Sequence, residues 1–228
     1  MLKKIMVVLP MVGLVATGVA FSLKASIGLG PFDALVALLS SLVGMQVGTM
    51  VIIFNCLMIL LQMLLLGKKF KKFQLLQVPL VLVLGNIVNF VLYNLLGDFE
   101  PSSYVVRFVL FIAGVTIIAS GVGVVMAIDL VPFPIEGACL VFSQKFGGKF
   151  SVIRQLADVV VIVLVIAISF ILSQDLLIRE GTIIGALIFG PIMGKVMNLV
   201  TPPLTNYGVI ESDTFEELEV PQYNEVTE

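Results

Sequence analysis

Histidine is absent from the chain, and charged residues make up only 12% of its 228 positions. The absence of histidine removes histidine-based catalytic triads, the usual zinc sites and the usual proton shuttle. Both cysteines, Cys56 and Cys139, lie within apolar segments and form no CxxC motif, so we expect no disulfide and no metal site. The chain also contains no GxSxG motif, no P-loop and no dinucleotide-binding fingerprint. We therefore expect no enzymatic activity, no cofactor and no nucleic-acid partner.

Apolar residues make up 59% of the chain, and they are concentrated in long runs. A helix needs roughly 20 consecutive apolar residues to cross a bilayer. The runs predict transmembrane helices over residues 1–23, 47–66, 75–96, 105–127, 150–172 and 182–200. The first run imitates a signal peptide, but part of it recurs in the middle of the chain, so we expect it to be retained. The composition therefore predicts an all-α membrane protein surrounded by lipid, with no room for a soluble catalytic domain.

Two further apolar segments are too short to cross a membrane. The first is predicted as a helix over residues 31–43, and the second as a helix over residues 135–146, directly after Pro134. Pro31 takes the first helical position, where proline is favoured, and glycine-containing sequence ending in Gly30 precedes it. At about 1.5 Å per residue, such a helix reaches roughly 20 Å, whereas the hydrocarbon core is about 30 Å thick. We therefore expect two re-entrant helices that enter the membrane and return.

The charged residues predict how these segments are oriented. Four lysines lie within residues 68–72, and cytoplasmic loops are enriched in lysine and arginine. The loop at residues 97–103 is acidic and free of lysine, and Lys145 and Lys149 follow the second short helix. These lysines all fall on the cytoplasmic side if neither short helix crosses the membrane. We therefore expect six crossings, with both termini in the cytoplasm.

The chain contains an internal repeat. Residues 17–64 align with residues 120–167 at a constant offset and without gaps. Each copy contains an odd number of crossings, so the two copies must have opposite orientations in the membrane. The sequence therefore predicts two inverted-topology repeats, residues 1–103 and residues 104–205. An acidic, disordered cytoplasmic tail is predicted over residues 206–228.

Inverted repeats with interrupted helices are typical of secondary transporters, whose sites lie near the middle of the membrane between the repeats. Polar side chains at that depth are costly and are commonly functional. The candidate substrate-binding or coupling residues are Asp33, Asn55, Asn86, Asn89, Glu136, Arg154 and Asp158. The candidate half-helix starts, whose free N–H groups could bind a solute, are Gly30, Pro31 and Pro134.

Each candidate also has a structural interpretation. Asp33 and Glu136 either complement the helix dipole in the first turns of the short helices, or together bind a cation, a proton or an amine. Asp158 either binds the substrate or coupling ion, or forms a structural ion pair with Arg154, which lies one helical turn earlier. The two candidate asparagines of the third span, three residues apart, fit hydrogen bonding between helices as well as ligand binding.

Several short motifs stand out in this apolar sequence. They are GLGPFD at residues 28–33, its spacing to Gly44 and Gly48, the polar Asn55, and GTIIGALIFGP at residues 181–191. Together they resemble the YczE/YyaS/YitT family of bacterial integral membrane proteins over most of the chain apart from the acidic tail. The resemblance implies a protein of the bacterial plasma membrane. It implies neither a substrate nor site residues.

We expect a small-solute secondary transporter that works by alternating access, with a small molecule or an ion as its substrate. One alternative is a substrate-binding subunit of an ATP-driven importer, similar to the S components of energy-coupling-factor transporters. The small residues within 16–20 fit the docking pattern of such subunits. A second alternative is a non-transporting scaffold or regulator that docks through its lysine loop and acidic tail. A homo-oligomer or a partner membrane protein is compatible with each of these functions.

Overall fold

The computed structural model describes residues 2–210, and the regular elements in this part of the chain are helical, with no strand among them. The helices are α1 (Leu2–Ala25), α2 (Pro31–Val43), α3 (Val47–Leu66), α4 (Gln77–Asn89), α5 (Tyr104–Ile128), α6 (Pro134–Phe146), α7 (Phe150–Ile171) and α8 (Glu180–Asn206). α4 continues into a π-helical segment, Phe90–Leu95, and two 3-10 turns, Gly67–Lys69 and Lys72–Leu76, form the lysine-rich loop. The prediction of an all-α protein is confirmed. Most of the predicted disordered tail, from residue 211 onward, lies outside the described residues.

Six segments of the described chain are long and apolar enough to cross a membrane. They correspond to the six predicted spans, and the protein is therefore an integral, multi-pass membrane protein. At about 1.5 Å per residue, a helix of 22 residues such as α7 is roughly 33 Å long, close to the thickness of the hydrocarbon core. The outer surface of α7 is apolar, and Phe170 there is 88% exposed. Such side chains make the surface that contacts lipid.

The last helix differs most from its prediction. The sequence predicts residues 182–200, whereas the helix runs over Glu180–Asn206 and contains the proline pair at 202–203. Prolines are tolerated in transmembrane helices where hydroxyl groups bond to the helix backbone. The hydroxyls of Thr201 and Thr205, on either side of the pair, donate to carbonyl groups one turn earlier at 2.7 and 3.0 Å. The helix therefore continues past the point at which the prolines predict its end.

The two short helices, α2 and α6, have the same length of 13 residues, and each begins at a proline. They also end in the same local structure. Ser40 Oγ donates to the carbonyl of Met45 at 2.6 Å, and Ser143 Oγ donates to the carbonyl of Gly148 at 2.6 Å. Ser40 and Ser143 are equivalent in the alignment of residues 17–64 with residues 120–167. Aligned sequence thus forms matching turns at both short helices.

α1 and α5 form the centre of the bundle, because small residues let their backbones approach closely. A Cβ atom at Gly18 would lie 2.8 Å from the carbonyl oxygen of Gly114, and one at Gly114 would lie 2.8 Å from the carbonyl oxygen of Gly18. Ala16 and Ala20, the neighbouring small residues of α1, are fully buried. Around this pair, α4 packs on α1, α8 packs on α5, and the short helices pack against both α3 and α7.

One end of the bundle, here called the upper end, gathers the end of α1, the end of the π-helical segment and the starts of α3, α5 and α8. Lys24 Nζ donates to the carbonyl of Gly97 at 3.0 Å, and the backbone N–H of Val47 donates to Tyr93 Oη at 3.1 Å. The start of α8 lies beside the end of α1, because the N–H of Gly181 donates to the carbonyl of Ile27 at 3.0 Å, and Tyr104 Oη donates to Glu180. α2 therefore connects two helix ends, those of α1 and α3, that both lie at the upper end.

The opposite, lower end gathers the start of α1 and the ends of α3, α6 and α8. Lys3 Nζ donates to the carbonyl of Tyr207 at 3.3 Å, and Lys145 Nζ donates to the carbonyl of Leu65 at 2.9 Å. α6 starts nearby as well, since the carbonyl of Pro134 accepts a hydrogen bond from Gln62 at 2.9 Å. α6 therefore begins and ends toward the lower end.

Candidate functional site

A cavity of about 550 Å³ lies inside the bundle, and all eight helices or the segments that precede them contribute to its wall. The short helices contribute their first turns, including Gly30, Pro31 and Asp33 from the first and Glu136 from the second. Most of the wall is apolar. The polar and charged side chains that line it include Asp33, Asn55, Glu136, Arg154, Gln155 and Asp158. Five of the seven candidate binding residues are thus brought to one cavity.

Arg154 of α7 connects two of the three acidic residues in the wall. Its Nη1 donates a hydrogen bond to Asp158 Oδ1, one turn further along the same helix. Its Nε lies 3.6 Å from Glu136 Oε1, which belongs to α6. The guanidinium also lies over the ring of Phe32, 4.8 Å from its centroid. The ion pair expected from the spacing of Arg154 and Asp158 is present, and Glu136 extends it to the second short helix.

Asp33 is the acidic residue of the wall that has no close partner, since Arg154 attracts it only at longer range. Within residues 2–210, no hydrogen bond and no ion pair reaches its carboxylate, which lies in the first turn of α2. A Cβ atom at Gly30 would come within 3.2 Å of Asp33 Oδ2, so the preceding glycine keeps this carboxylate uncrowded. The α2 N-terminus stabilises a negative charge at this position through its free N–H groups. Asp33 therefore presents a carboxylate to the cavity.

Phenylalanine rings form much of the apolar wall. They are Phe32, Phe54, Phe133, Phe150 and Phe189. The rings of Phe32 and Phe54 pack together, with their centroids 6.0 Å apart. Aromatic faces carry partial negative charge and attract cations. The wall is thus apolar, and it is also suited to a positively charged group.

Asn55 lies in the cavity wall at the middle of α3 and is only 6% exposed. Its Nδ2 donates to the carbonyl of Val51, one turn earlier in the same helix, at 2.8 Å. Asn55 is aligned with Asp158 in the sequence repeat, and the two residues line the same cavity. A neutral amide thus takes the place in the first half that a carboxylate takes in the second.

The two asparagines of α4 lie outside the cavity wall. Asn86 is exposed on the outer surface, and its Nδ2 donates to the carbonyl of Leu82 in its own helix at 2.7 Å. Asn89 joins α4 to α3, because its Oδ1 accepts from the N–H of Gly48 at 2.7 Å and its Nδ2 donates to Thr49 Oγ1 at 3.2 Å. The sequence left two interpretations of Asn89 open, hydrogen bonding between helices and ligand binding, and the structure has the hydrogen bonding between helices. Neither side chain faces the candidate site.

Pro134 also lies outside the cavity wall, and its surroundings include a polar contact that sequence reasoning missed. Gln62 and Gln77 are fully buried, and their side-chain amides exchange two hydrogen bonds of 3.1 Å. Gln62 Nε2 also donates to the carbonyl of Pro134. A Cβ atom at Gly137 would meet Gln62 at about 3 Å. The sequence does contain a signal for this contact, because each of the two apolar spans beside the lysine loop carries a glutamine.

The segment before α2 is fixed by a different polar contact. Gly28 has a φ of 131°, a conformation that favours glycine. A Cβ atom there would lie 2.6 Å from the backbone nitrogen of Thr182 in α8. The hydroxyl of Thr182 accepts a hydrogen bond from the N–H of Leu29 at 3.2 Å. The GLGPFD motif and the later GTIIG motif, which sequence reasoning took separately, therefore form one contact that positions the start of α2.

The fold and the cavity define the class of this protein: a multi-pass α-helical membrane protein with an acidic, phenylalanine-lined cavity at its centre. Residues 2–198 match the model of a family described as a family of unknown function, DUF6198, and the chain belongs to this family. No curated protein matches the chain. No solved structure matches it either.

Proposed function

We propose that the protein is a secondary transporter that moves a small solute across the bacterial plasma membrane by alternating access. The cavity is its binding site, and the proposal assigns no catalytic step. The observation that carries it is the composition of the cavity wall. Many of the wall residues occupy positions that the offset of the internal repeat pairs with one another. Inverted repeats around a shared site are the architecture that allows two equivalent conformations with opposite openings.

The aligned positions of the two repeats line the cavity together. The pairs that both contribute to its wall are Val15 and Ile118, Val19 and Val122, Gly30 and Phe133, Phe32 and Ile135, Asp33 and Glu136, Val51 and Arg154, Asn55 and Asp158, Leu84 and Leu187, and Val88 and Pro191. The first pair and the last two pairs lie beyond the stretch aligned in the sequence, at the same offset. Such pairing is expected of a cavity between two symmetry-related halves and supports the proposal.

The contacts at the helix ends support the inverted, re-entrant topology. α2 connects two helix ends that lie at the upper end of the bundle, so it does not change sides. α6 begins and ends toward the lower end. Three long helices in each half then give an odd number of crossings per repeat. This supports opposite orientations for the two halves, with one short helix entering from each side.

The distribution of lysine supports the assignment of the lower end to the cytoplasm. Lys3, the lysines of the 68–72 loop and Lys145 lie at the lower end, whereas Asp98 and Glu100 follow the upper end of α4. Cytoplasmic loops are enriched in basic residues. Both termini are then cytoplasmic. The resemblance to the YczE/YyaS/YitT family agrees with a bacterial plasma-membrane protein and forms part of this proposal.

No specific observation favours the importer subunit. The small residues that suggested a docking surface, including Ala16 and Ala20, are buried inside the bundle, and Ala20 packs against the continuation of α4. The scaffold hypothesis gives no account of a polar cavity at membrane depth. Polar groups in the membrane are costly and commonly mark substrate or ion pathways.

Alternating access can be tested without a known substrate, because one residue in the cavity must become accessible from both sides of the membrane. Gln155→Cys, in a background with Cys56→Ser and Cys139→Ala, places a single thiol in the cavity wall. A membrane-impermeant thiol reagent is applied from one side at a time in oriented vesicles. The control thiols are Ser102→Cys, which follows the upper end of α4, and Lys69→Cys in the lysine loop.

Each control thiol reacts from one side only, and the two react from opposite sides. The proposal predicts that Gln155→Cys reacts from both sides. Reaction of this cavity thiol from a single side, under conditions in which both controls react, would contradict alternating access. The substrate does not enter this experiment.

A further inference from the structure

We propose that the substrate is an organic cation, with one positively charged group attached to a bulky apolar or aromatic body. This inference rests on the proposed transport function of the same cavity, and it adds the chemical class of the solute. Four observations carry it: the sign of the charge in the wall, the uneven pairing of the carboxylates, the aromatic surface between them, and the volume of the cavity.

The charges in the wall are unbalanced. Three carboxylates, from Asp33, Glu136 and Asp158, face a single guanidinium, from Arg154. Lys195, the basic residue of α8, is exposed and outside the wall. Excess charge of one sign in a low-dielectric interior is costly unless an opposite charge compensates it. A bound cation supplies that compensation, and an anion would increase the imbalance.

The pairing of the carboxylates shows where the cation binds. Arg154 already engages Glu136 and Asp158 on the side of the cavity formed by α6 and α7. Asp33, in the first turn of α2, has no close ion pair and no hydrogen bond within the part of the chain that the structure describes, and Arg154 attracts it only at longer range. The charged group of the solute therefore binds at Asp33. Glu136 and Asp158 contribute to the surrounding negative potential through their longer-range charge.

The surface next to Asp33 suits the uncharged body of such a solute. Phe32, which precedes Asp33 in the chain, packs against Phe54, and Phe189 of α8 lines the same cavity. The guanidinium of Arg154 lies 4.8 Å from the centroid of the Phe32 ring and 6.0 Å from that of Phe189. These rings thus already pack against one cation. A second cation at Asp33 would gain the same type of interaction.

The remaining observation concerns the size of the cavity. A volume of about 550 Å³ falls within the range of sites for drug-sized ligands, roughly 300 to 1,000 Å³. Ser22 borders the same cavity, but its hydroxyl oxygen is enclosed against Gly114 of α5 and is not open to a ligand. The cavity therefore fits a molecule much larger than a bare metal ion or a proton.

The test compares two probes that have the same shape and opposite charge. Tetraphenylphosphonium is a permanent organic cation, and tetraphenylborate is its anionic counterpart, so neither changes charge with pH. Binding of each to the full-length protein in neutral detergent is measured by equilibrium dialysis against detergent alone. Asp33→Asn removes the unpaired charge with little change in shape. The control variant is Asp98→Asn, which removes a carboxylate from an exposed loop.

We expect tetraphenylphosphonium to bind at least about tenfold more tightly than tetraphenylborate, because one charge at close range in a protein is worth more than a tenfold change in affinity. Asp33→Asn should weaken binding of the cation by about tenfold or more, and Asp98→Asn should leave it unchanged. Equal binding of the two probes overturns the proposal even if Asp33→Asn fails to fold. Binding of Na⁺ or Mg²⁺ without binding of tetraphenylphosphonium also overturns it.

The binding experiment and the accessibility experiment test the two proposals separately, so either proposal can fail while the other is retained. Selective binding of the cation together with a cavity thiol that reacts from one side only would retain the ligand class and reject the carrier. A thiol that reacts from both sides, together with equal binding of the two probes, would retain the carrier and reject the ligand class.

Discussion

The α3–α4 pair and the α7–α8 pair occupy equivalent places in the two proposed repeats, but their packing differs. α3 and α4 are in close contact at the upper end. A Cβ atom at Gly48 would lie 2.1 Å from the carbonyl oxygen of Gly85, and Asn89 bonds across the same interface. Within the described residues, α7 and α8 form no comparable interface, and α8 packs mainly on α5. Residues of both α7 and α8 line the cavity instead.

The difference indicates which state of the proposed cycle the structure represents. Gly48 is aligned with Ser151, which lines the cavity at the start of α7. The start of α3 is at the upper end, and the start of α7 is at the lower end. Contact of α3 with α4 closes the bundle at the upper end, whereas α7 and α8 are apart beside the cavity; in the proposed cycle this is the state in which the cavity opens toward the lower end. Exchange of these two arrangements would open it to the outside.

The largest expected effect concerns the ion pairs of Arg154, which help to hold α7 in place because α7 has no close interface with α8. Arg154→Gln leaves Glu136, which is 5% exposed, and Asp158 without their cationic partner. Removing one member of a buried ion pair costs about 3 to 5 kcal/mol. Thermal unfolding of the purified protein in detergent measures the loss. Lys195→Gln, which removes an exposed charge from α8, is the control and should have almost no effect.

A double variant separates the ion pair from general disruption of α7. Arg154→Gln combined with Asp158→Asn removes one of the stranded charges, so it should be more stable than Arg154→Gln alone. If the double variant is less stable than the single variant, the ion-pair interpretation is wrong.

The next effect concerns the closed interface itself. Gly48→Ala forces α3 and α4 apart, and overpacking of this kind costs about 1 to 3 kcal/mol. Gly194→Ala is the matched control, because a Cβ atom at this α8 position meets nothing within 4 Å. Alanine favours the helix by up to about 1 kcal/mol, so the control should be neutral or slightly stabilising. Similar unfolding temperatures for the two variants would show that the α3–α4 contact is not tight.

A smaller effect is expected at the hydrogen bonds of this interface. Asn89→Ala leaves the N–H of Gly48 without its acceptor, which costs about 1 to 2 kcal/mol. Asn86→Ala removes a similar side chain that bonds only within its own exposed helix turn, so the loss should stay below about 0.5 kcal/mol. The unfolding temperatures of the two variants compare the asparagines directly. Equal losses would contradict the role of Asn89 between the helices.

The smallest expected effect concerns the turns that end the two short helices. These turns have the same hydrogen bond, although the long helix pairs of the two halves pack differently. Ser40→Ala and Ser143→Ala each remove one hydrogen bond at the end of a short helix, and each should cost about 1 kcal/mol. The two losses should agree to within about 0.5 kcal/mol if the turns are equivalent. A clear loss in one variant and none in the other would break the local equivalence of the repeats.

Most of the candidate site residues could be predicted from the sequence, because the internal repeat aligns polar residues of one half with polar residues of the other. The alignment paired Asp33 with Glu136 and Asn55 with Asp158, and polar residues at membrane depth are few enough to stand out. The helical spacing also predicted the contact between Arg154 and Asp158. These predictions needed only local periodicity and the internal alignment.

The remaining features depend on contacts that sequence periodicity does not contain. Asn86 and Asn89 are three residues apart, yet one is exposed and the other bonds to α3, because the direction of each side chain depends on how α4 is rotated against α3. The Gln62–Gln77 pair joins residues on two helices across the lysine loop. The separation of α7 from α8 is also invisible in the sequence, since both helices are apolar enough to cross a membrane, like those of the closed pair.

The most direct test of the exchange is the distance across each helix pair, measured by electron–electron double resonance in liposomes. Nitroxide labels replace Gln46 and Leu95 across the closed pair, and Val152 and Leu199 across the separated pair, all exposed positions in a background without cysteine. Introducing Gly48→Ala, which holds α3 away from α4, should lengthen the first distance and shorten the second. A longer 46–95 distance with an unchanged 152–199 distance would contradict alternating access, because it would show that the two pairs move independently.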